Sequence, residues 1–166
     1  IKTLLLACYV SSSPANAEQD EKGLWDLSDI YPSLSAWETS RVKTKQQLET
    51  LDTCRGKHGQ SAKQLAICLD TQSDIYRDLS RLYTYSMLDK DTDLNSSERR
   101  ERHALIVNLM TRYEEKSSFV GPELLQIGKK RLEQFLAEEQ GLKNYDFFIH
   151  NILREAPHIL TDREES

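Results

Sequence analysis

The sequence has little glycine, proline and cysteine, and it lacks several motifs that mark common catalytic sites. Its 166 residues include six glycines, four prolines and three cysteines. There is no Gly-x-Ser-x-Gly motif of serine hydrolases and no glycine-rich phosphate loop. There is also no His-Glu-x-x-His motif, which sets two zinc ligands one helical turn apart with a general base between them. We therefore expect no catalytic, cofactor-binding or metal-binding residues within this chain.

The four histidines are too scattered to predict a metal site, since no two of them lie three or four residues apart. His58 falls in a predicted turn and His103 in a highly charged helix start, so both are predicted to be solvated. His150 lies on a mostly apolar helix, which predicts a core or inter-domain position. His158 follows Pro157 and is interpreted as part of a docking turn.

The composition bounds the fold class and the partners. Lysine and arginine total 22 and aspartate and glutamate total 27, which gives a formal net charge of -5. A mildly acidic surface argues against nucleic acid and anionic lipid as partners. No stretch alternates apolar and polar residues for long enough to predict a strand. The sequence therefore predicts an all-α protein, long enough for one domain with its own apolar core.

Residues 1–17 have the pattern of a signal peptide that is truncated at its start, since the chain opens with isoleucine. A short apolar run, Leu4–Val10, follows Lys2. The small residues Ala15 and Ala17 fit a cleavage site directly after position 17. We therefore expect an exported protein of the periplasm or cell envelope.

Two other interpretations of this segment remain open. Leu5–Cys8 has the small-then-cysteine form of a lipobox, which would leave Cys8 acylated as the N-terminus of a lipoprotein. The apolar run could instead form a buried N-terminal strand. It is far shorter than the roughly 20 residues that a membrane-spanning helix needs, so we expect no membrane span.

Residues 18–35 are predicted to form an extended lead-in to a helical domain. Pro32 disfavours helical backbone at the preceding Tyr31. Ser35 and Glu38 then have the spacing of a capping box, in which each side chain satisfies a free backbone N–H at the helix start. The first helix is therefore predicted to begin at this point.

The helical domain is predicted to cover residues 36–166. Thr161 and Glu164 have the spacing of one more capping box, yet the sequence stops two residues later. A helix start with no helix behind it leads us to expect that the sequence has been cut within a longer protein.

Apolar residues spaced three and four apart predict an antiparallel bundle of long helices. The first helix is predicted over residues 36–55, the second from the cap at Ser61 to about Leu88, and the third from the cap at Asn95 to about Lys116. Gly56 is expected to end the first helix. The residues predicted to be buried are Trp37, Val42, Leu48 and Leu51; Leu65, Cys68, Leu69, Gln72, Ile75, Tyr76, Leu79, Leu82, Tyr83, Ser86 and Met87; and Leu105, Ile106, Leu109, Met110 and Tyr113.

Shorter helices are predicted in the remainder. Pro122 is expected at the first position of one of them, and Gly128 separates it from a helix over residues 130–139. A last helix over residues 145–155 should place its apolar residues on one side. These residues are Phe148, Ile149, Ile152 and Leu153.

The acidic stretch between the second and third helices resembles part of a calcium-binding loop. Asp89, Asp91 and Asp93 have the spacing of the first ligands of an EF-hand. However, Leu94 stands where the loop needs glycine, and Arg100 stands where it needs a bidentate glutamate. A solvated loop is therefore the preferred interpretation, with calcium as the alternative.

Cys54 and Cys68 are candidates for a disulfide, since both would remain after signal cleavage in an oxidising compartment. A loop of about 15 residues closed in this way would stabilise the protein by about 3 kcal/mol. The alternative is two separate thiols that pack as small apolar side chains, since the two cysteines lie at unequal distances from the predicted turn.

Tyrosines on the predicted helices offer flat apolar faces that could contact peptides. Helical spacing makes core packing the expected role of Tyr76 and Tyr83. Tyr85 falls off that apolar stripe. It is therefore the one candidate for contact with substrate or with a second domain.

Four segments in the same order resemble the N-terminal region of the oligoendopeptidase F family, thimet-oligopeptidase-like zinc metallopeptidases. Together they cover about residues 24–165, from the sequence Trp-Asp-Leu-Ser-Asp-Ile-Tyr-Pro onward. The resemblance implies a helical region that walls a deep channel, which admits short peptides and excludes folded proteins. It also implies that the zinc ligands lie in a C-terminal catalytic domain missing from this chain. The segments are residues 25–32, 79–86, 122–125 and 145–165.

Two functional hypotheses follow. In the first, the chain is the substrate-channel domain of an exported zinc metalloendopeptidase, inactive alone, whose partners are short peptides and its own catalytic domain. In the second, it is a non-catalytic helical binding or scaffold protein of the cell envelope. A His-Glu-x-x-His motif in the downstream reading frame would select the first hypothesis, and a stop codon after the last residue would select the second.

Overall fold

The computed structural model describes residues 25–155, and the regular secondary structure of this part of the chain is all helical. The prediction of an all-α fold is confirmed. The predicted signal segment with Cys8, the start of the lead-in, His158 and the final capping box lie outside the described residues. The α-helices are α1 (Leu34–Gln47), α2 (Ala62–Thr92), α3 (Ser97–Ser117), α4 (Val120–Ile127), α5 (Lys129–Glu138) and α6 (Asp146–Glu155), and the 3₁₀ segments are Leu48–Cys54 and Gln140–Tyr145.

Helix α2 is the central element, with 31 residues and a length of about 46 Å. It begins where the sequence predicts, because the Ser61 side chain accepts a hydrogen bond from the backbone N–H of Gln64 at 3.1 Å. It ends at Thr92, four residues beyond the predicted end at Leu88. Arg102 of α3 pairs with the carboxylate of Asp89 in α2, and this pair stabilises the extra turn.

Helix α1 begins two residues earlier than predicted. Its N-cap is Ser33, whose side chain accepts a hydrogen bond from Ala36 N–H at 3.2 Å. Ser35, predicted to be the cap, lies inside the helix, where its carbonyl accepts a hydrogen bond from the Thr39 hydroxyl at 2.9 Å. Val42, predicted to be buried, is 42% exposed, because α1 turns only a narrow face with Trp37 toward α2.

The lead-in is not extended throughout, contrary to the prediction. The backbone N–H groups of Ile30 and Tyr31 both donate to the carbonyl of Leu27, at 3.0 and 3.1 Å, which closes a turn. The turn allows the Tyr31 ring to reach the core, where it is 7% exposed. Gly56 ends the first helical stretch as predicted, with a φ of 75° that disfavours other residues.

The buried apolar residues form two clusters, one on each half of α2. The first cluster packs the N-terminal half of α2 against α4, α5 and α6, and the second packs its C-terminal half against α1 and α3. Representative members of the first are Leu65, Leu69, Leu124, Leu132, Phe135 and Ile149, and of the second Tyr31, Trp37, Leu79, Leu82, Ile106 and Tyr113.

Several residues predicted to be core lie nearer the surface. Tyr76 is 50% exposed, Leu105 is 42% exposed and Phe148 is 38% exposed. Each lies at the edge of its helix's buried face, where spacing alone does not decide burial. Helix α3 is capped by Ser96, one residue after the predicted Asn95, through a hydrogen bond from Arg99 N–H at 3.3 Å.

The short helices follow the predicted order with shifted ends. Helix α4 starts at Val120, so Pro122 occupies its third position instead of the first. Gly128, with a φ of 79°, separates α4 from α5 as predicted. Among the helices of the described part, none combines the length and apolar composition that a membrane span requires.

Candidate functional site

A concave surface with an apolar lining lies at the boundary between the two clusters. We call it the aromatic groove; its volume is about 360 Å³. Leu69 at its base belongs to the first cluster and Tyr113 to the second. The lining residues are Leu69, Gln72, Ser73, Tyr76, Tyr113, Tyr145 and Phe148.

Four helical elements position the aromatic side chains of the groove. Helix α2 contributes Tyr76, two turns after Leu69 and on the same face. The Tyr113 ring from α3 lies 5.5 Å from the Tyr76 ring, and its hydroxyl donates to the Gln72 carbonyl at 3.5 Å. The second 3₁₀ segment and α6 supply Tyr145 and Phe148. The walls are therefore set by tertiary packing of elements distant in sequence.

Tyr145 links the rim of the groove to α2. Its hydroxyl donates a hydrogen bond to the Asp70 carboxylate at 2.6 Å. Burial, together with this hydrogen bond, raises the pKa of Tyr145 to about 12, so its hydroxyl stays protonated at neutral pH. The arrangement offers apolar faces and one oriented carboxylate, which suits binding.

Tyr85, the predicted contact residue, lies elsewhere and is largely used within the fold. Its ring stacks on Trp37 with centroids 6.1 Å apart and meets the edge of Tyr31 at 5.6 Å. Burial raises the pKa of Tyr85. Its remaining surface lines a separate groove of about 280 Å³ that also includes Trp25 and Arg99. A role of Tyr85 in substrate or domain contact stays a prediction.

The structure brings Cys54 and Cys68 together. Their sulfur atoms lie 2.20 Å apart and their Cα atoms 5.6 Å apart. Both side chains belong to the first cluster and are 6% and 1% exposed. The Cys54–Cys68 pair therefore connects the end of the first 3₁₀ segment to α2.

The prediction that His58 is solvated is wrong. His58 is 1% exposed, and its Nδ1 lies 2.6 Å from a carboxylate oxygen of Glu123 on α4. With Glu123 as a carboxylate, which only accepts hydrogen bonds, the tautomer that fits this contact is the one in which Nδ1–H donates. The other oxygen of Glu123 accepts the Gly56 N–H at 2.6 Å. No local signal could identify this pair, because its members are 65 residues apart in the sequence.

The other two described histidines also differ from their predictions. His103 is half-buried, with its Nδ1 3.2 Å from the Ser86 hydroxyl, and burial lowers its pKa. His150 is exposed on α6, so the core position predicted for it is wrong, while a position between domains stays a prediction. Residues 25–155 include no group of three histidine, cysteine, aspartate or glutamate side chains that could hold a metal ion. Asp89 of the predicted acidic loop pairs with Arg102 and does not support the calcium alternative.

Known proteins with similar sequences are bacterial oligopeptidases. Oligopeptidase PepF of Bacillus subtilis is 33% identical over 153 residues, and Group B oligopeptidase PepB of Streptococcus agalactiae is 30% identical over 146 residues. These alignments cover 92% and 88% of this chain but 23% and 24% of the two relatives. The chain thus spans about a quarter of the length of the relatives it matches. Residues 123–166 match the family described as Oligopeptidase F.

A solved structure shares the fold. The crystal structure of oligoendopeptidase-F from Enterococcus faecium matches with a TM-score of 0.71 and 24% sequence identity. The match covers 81% of this chain and 26% of that one. The helical arrangement around α2 is therefore also found within a larger bacterial protein.

Proposed function

We propose that this chain, which corresponds to the N-terminal helical region of oligoendopeptidase F-family proteins, is the substrate-channel domain of an exported zinc metalloendopeptidase. Its substrates would be short peptides. The observation that supports the proposal is the similarity to oligopeptidases along about nine-tenths of the chain. The second hypothesis, a non-catalytic binding or scaffold protein, lacks an observation of comparable weight.

The fold suits a wall that limits substrate size. A continuous helix of about 46 Å, braced on both halves by packed helices, resists bending at its middle. A rigid wall keeps a channel narrow, so that an extended peptide enters and a folded protein does not. The contribution of this region would be shape and substrate binding.

Zinc would have to be bound by residues outside the described part of the chain. Four side chains that could ligate zinc are engaged in pairs within the fold, His58 with Glu123 and Cys54 with Cys68, and residues 25–155 bring no three possible ligands together. These residues do not fit a zinc site, and no catalytic step is assigned to them. The chain by itself is therefore proposed to be inactive.

Export is supported by the position of Cys54 and Cys68. Disulfides persist in oxidising compartments and are rare in the cytosol. A pair of buried cysteines with sulfur atoms at bonding distance therefore favours the periplasm or the cell envelope over the cytosol. Acylation at Cys8 remains the second possibility for the N-terminus.

The proposal is tested with the protein encoded by the entire reading frame. We expect it to cleave quenched-fluorescent short peptides but not folded ribonuclease, and to lose activity with a zinc chelator and regain it when zinc is added. The present chain alone should leave the same peptides intact. A full-length protein that fails to cut short peptides in the presence of zinc would contradict the proposal.

A further inference from the structure

The aromatic groove is an apolar surface that the described fold leaves open. Tyr76 and Phe148 on its walls are 50% and 38% exposed, although the groove base at Leu69 is buried. Ligand sites are typically concave, mostly apolar and supplied with a few oriented polar groups. At about 360 Å³, the groove has the size of a small ligand site, large enough for one aromatic side chain and its neighbouring atoms.

Tyr145 on the wall of the groove is hydrogen-bonded to a negatively charged side chain, Asp70, which lies next to the groove lining. The Asp70 carboxylate is exposed and accepts the Tyr145 hydroxyl. Within residues 25–155, no lysine or arginine forms an ion pair with Asp70, whereas Asp74 one turn further pairs with Arg77 at 2.6 Å. A cation placed beside Asp70 would gain a charge-assisted hydrogen bond. It would also lie close to tyrosine rings whose faces attract cations.

We propose that the aromatic groove binds a peptide segment in which an arginine or lysine stands next to an apolar side chain. The apolar side chain lies between Tyr76 and Phe148, above Leu69. The cation pairs with Asp70, whose orientation is held by the Tyr145 hydroxyl. This inference deepens the proposed function, from which it takes the choice of a peptide as the ligand.

The test is a two-dimensional NMR titration of the isotope-labelled chain with three hexapeptides. The first is Gly-Gly-Arg-Phe-Gly-Gly, the second replaces its arginine by glutamate, and the third replaces its phenylalanine by serine. We expect saturable shifts with the first peptide, centred on the backbone of Tyr76, Tyr145 and Phe148. Both altered peptides should bind at least about fivefold more weakly, which is about 1 kcal/mol.

Two variants and their controls make the assignment specific. Tyr76→Ser removes a half-exposed wall and should weaken binding about tenfold, while Ile67→Ser removes an apolar residue of similar exposure, 48%, from α2 outside the groove and should change nothing. Asp70→Asn should reduce the preference for arginine over glutamate. Asp29→Asn, which neutralises an exposed carboxylate away from the groove lining, should not. Melting curves of each variant show whether it is folded.

Three outcomes would overturn the inference. They are the absence of saturable shifts, equal binding of all three peptides, and equal effects of Tyr76→Ser and Ile67→Ser. A fourth outcome would show that another domain of the full-length protein, and not a peptide, occupies the groove. In that case Tyr76 would be protected from hydroxyl-radical labelling in the full-length protein without peptide. Peptide cleavage by the full-length protein tests the proposed function separately, so binding can fail while cleavage succeeds, and the reverse.

Discussion

The two halves of α2 are covered by helices of different length, and this difference decides how each half is stabilised. The N-terminal half packs against α4, α5 and α6, which have 8, 10 and 10 residues. The C-terminal half packs against α1 and α3, which have 14 and 21 residues. Helices shorter than about 12 residues are marginal by themselves in water. Both halves bury an apolar cluster, and the N-terminal or short-helix half should depend more on contacts with other elements than the C-terminal or long-helix half.

Side-chain hydrogen bonds, which we call links, join residues of the short-helix half that are far apart in the sequence. His58 and Glu123 pair across 65 residues, and Tyr145 reaches Asp70 across 75. The long-helix half combines the buried Trp37–Leu82 hydrogen bond with exposed ion pairs such as Arg112 with Glu49 at 2.9 Å. Exposed pairs of this kind are each worth about 0 to 1 kcal/mol. Removing the buried His58–Glu123 link should therefore cost more stability than removing an exposed ion pair.

The largest effect is expected at Trp37 in the long-helix half. The ring is 1% exposed and its Nε1–H donates to the Leu82 carbonyl at 3.2 Å. Trp37→Ala should lower the free energy of unfolding by about 3 to 5 kcal/mol through the cavity it leaves. Urea denaturation followed by circular dichroism measures the change.

Trp25→Ala is the matched control, because Trp25 is 62% exposed. It should change the free energy of unfolding by less than about 0.5 kcal/mol. Equal losses in the two variants would contradict the view that apolar burial stabilises the long-helix half.

The next largest effect is expected from Cys54 and Cys68 in the short-helix half. Replacing both by serine should cost about 3 kcal/mol, since the bridge closes a loop of about 15 residues. Hydrogen exchange should accelerate mainly in α4, α5 and α6. Thiol titration of the unfolded, unreduced chain provides the direct check: Cys8 should be the one reactive thiol, and three reactive thiols would show that the bond does not form.

A smaller loss is expected at Glu123. Glu123→Ala leaves the buried His58 ring and the Gly56 N–H without their acceptor, at a cost of about 1 to 3 kcal/mol. Glu133→Ala is the matched control on α5, where the carboxylate makes an exposed pair with Lys129 at 3.8 Å. A loss as small as that of Glu133→Ala would show that the buried pair does not stabilise the short-helix half.

The sequence was sufficient to predict the elements that depend on local signals. Ser61 with Gln64 marks the start of α2, and Gly56 and Gly128 mark helix ends with positive φ. Regular apolar spacing from Leu65 to Leu82 predicts the buried face of α2. Each of these signals lies within a few residues of the helix end or buried face that it determines, so it can be recognised from the local sequence alone.

The features that were missed depend on contacts between distant elements. Tyr76 was predicted to be core because its spacing fits, yet no element within residues 25–155 covers its outer face. His58 was predicted to be solvated because its turn is polar, yet Glu123 arrives from α4 to bury it. The aromatic groove combines side chains from α2, α3, the second 3₁₀ segment and α6, so its existence could not be predicted from any one segment.

The smallest effect is a pH dependence located in the long-helix half. Burial, and then the positive charge of Lys90, holds the pKa of His103 below its usual 6.5. Between the folded pKa and 6.5 the unfolded chain binds more protons, so the free energy of unfolding should fall as the pH is lowered through this range. Urea denaturation at pH 7.5 and at pH 5.5 measures this decrease in the free energy of unfolding. His103→Gln should make the decrease smaller. If the variant loses as much stability as the unaltered chain, His103 is not the source of the acid sensitivity.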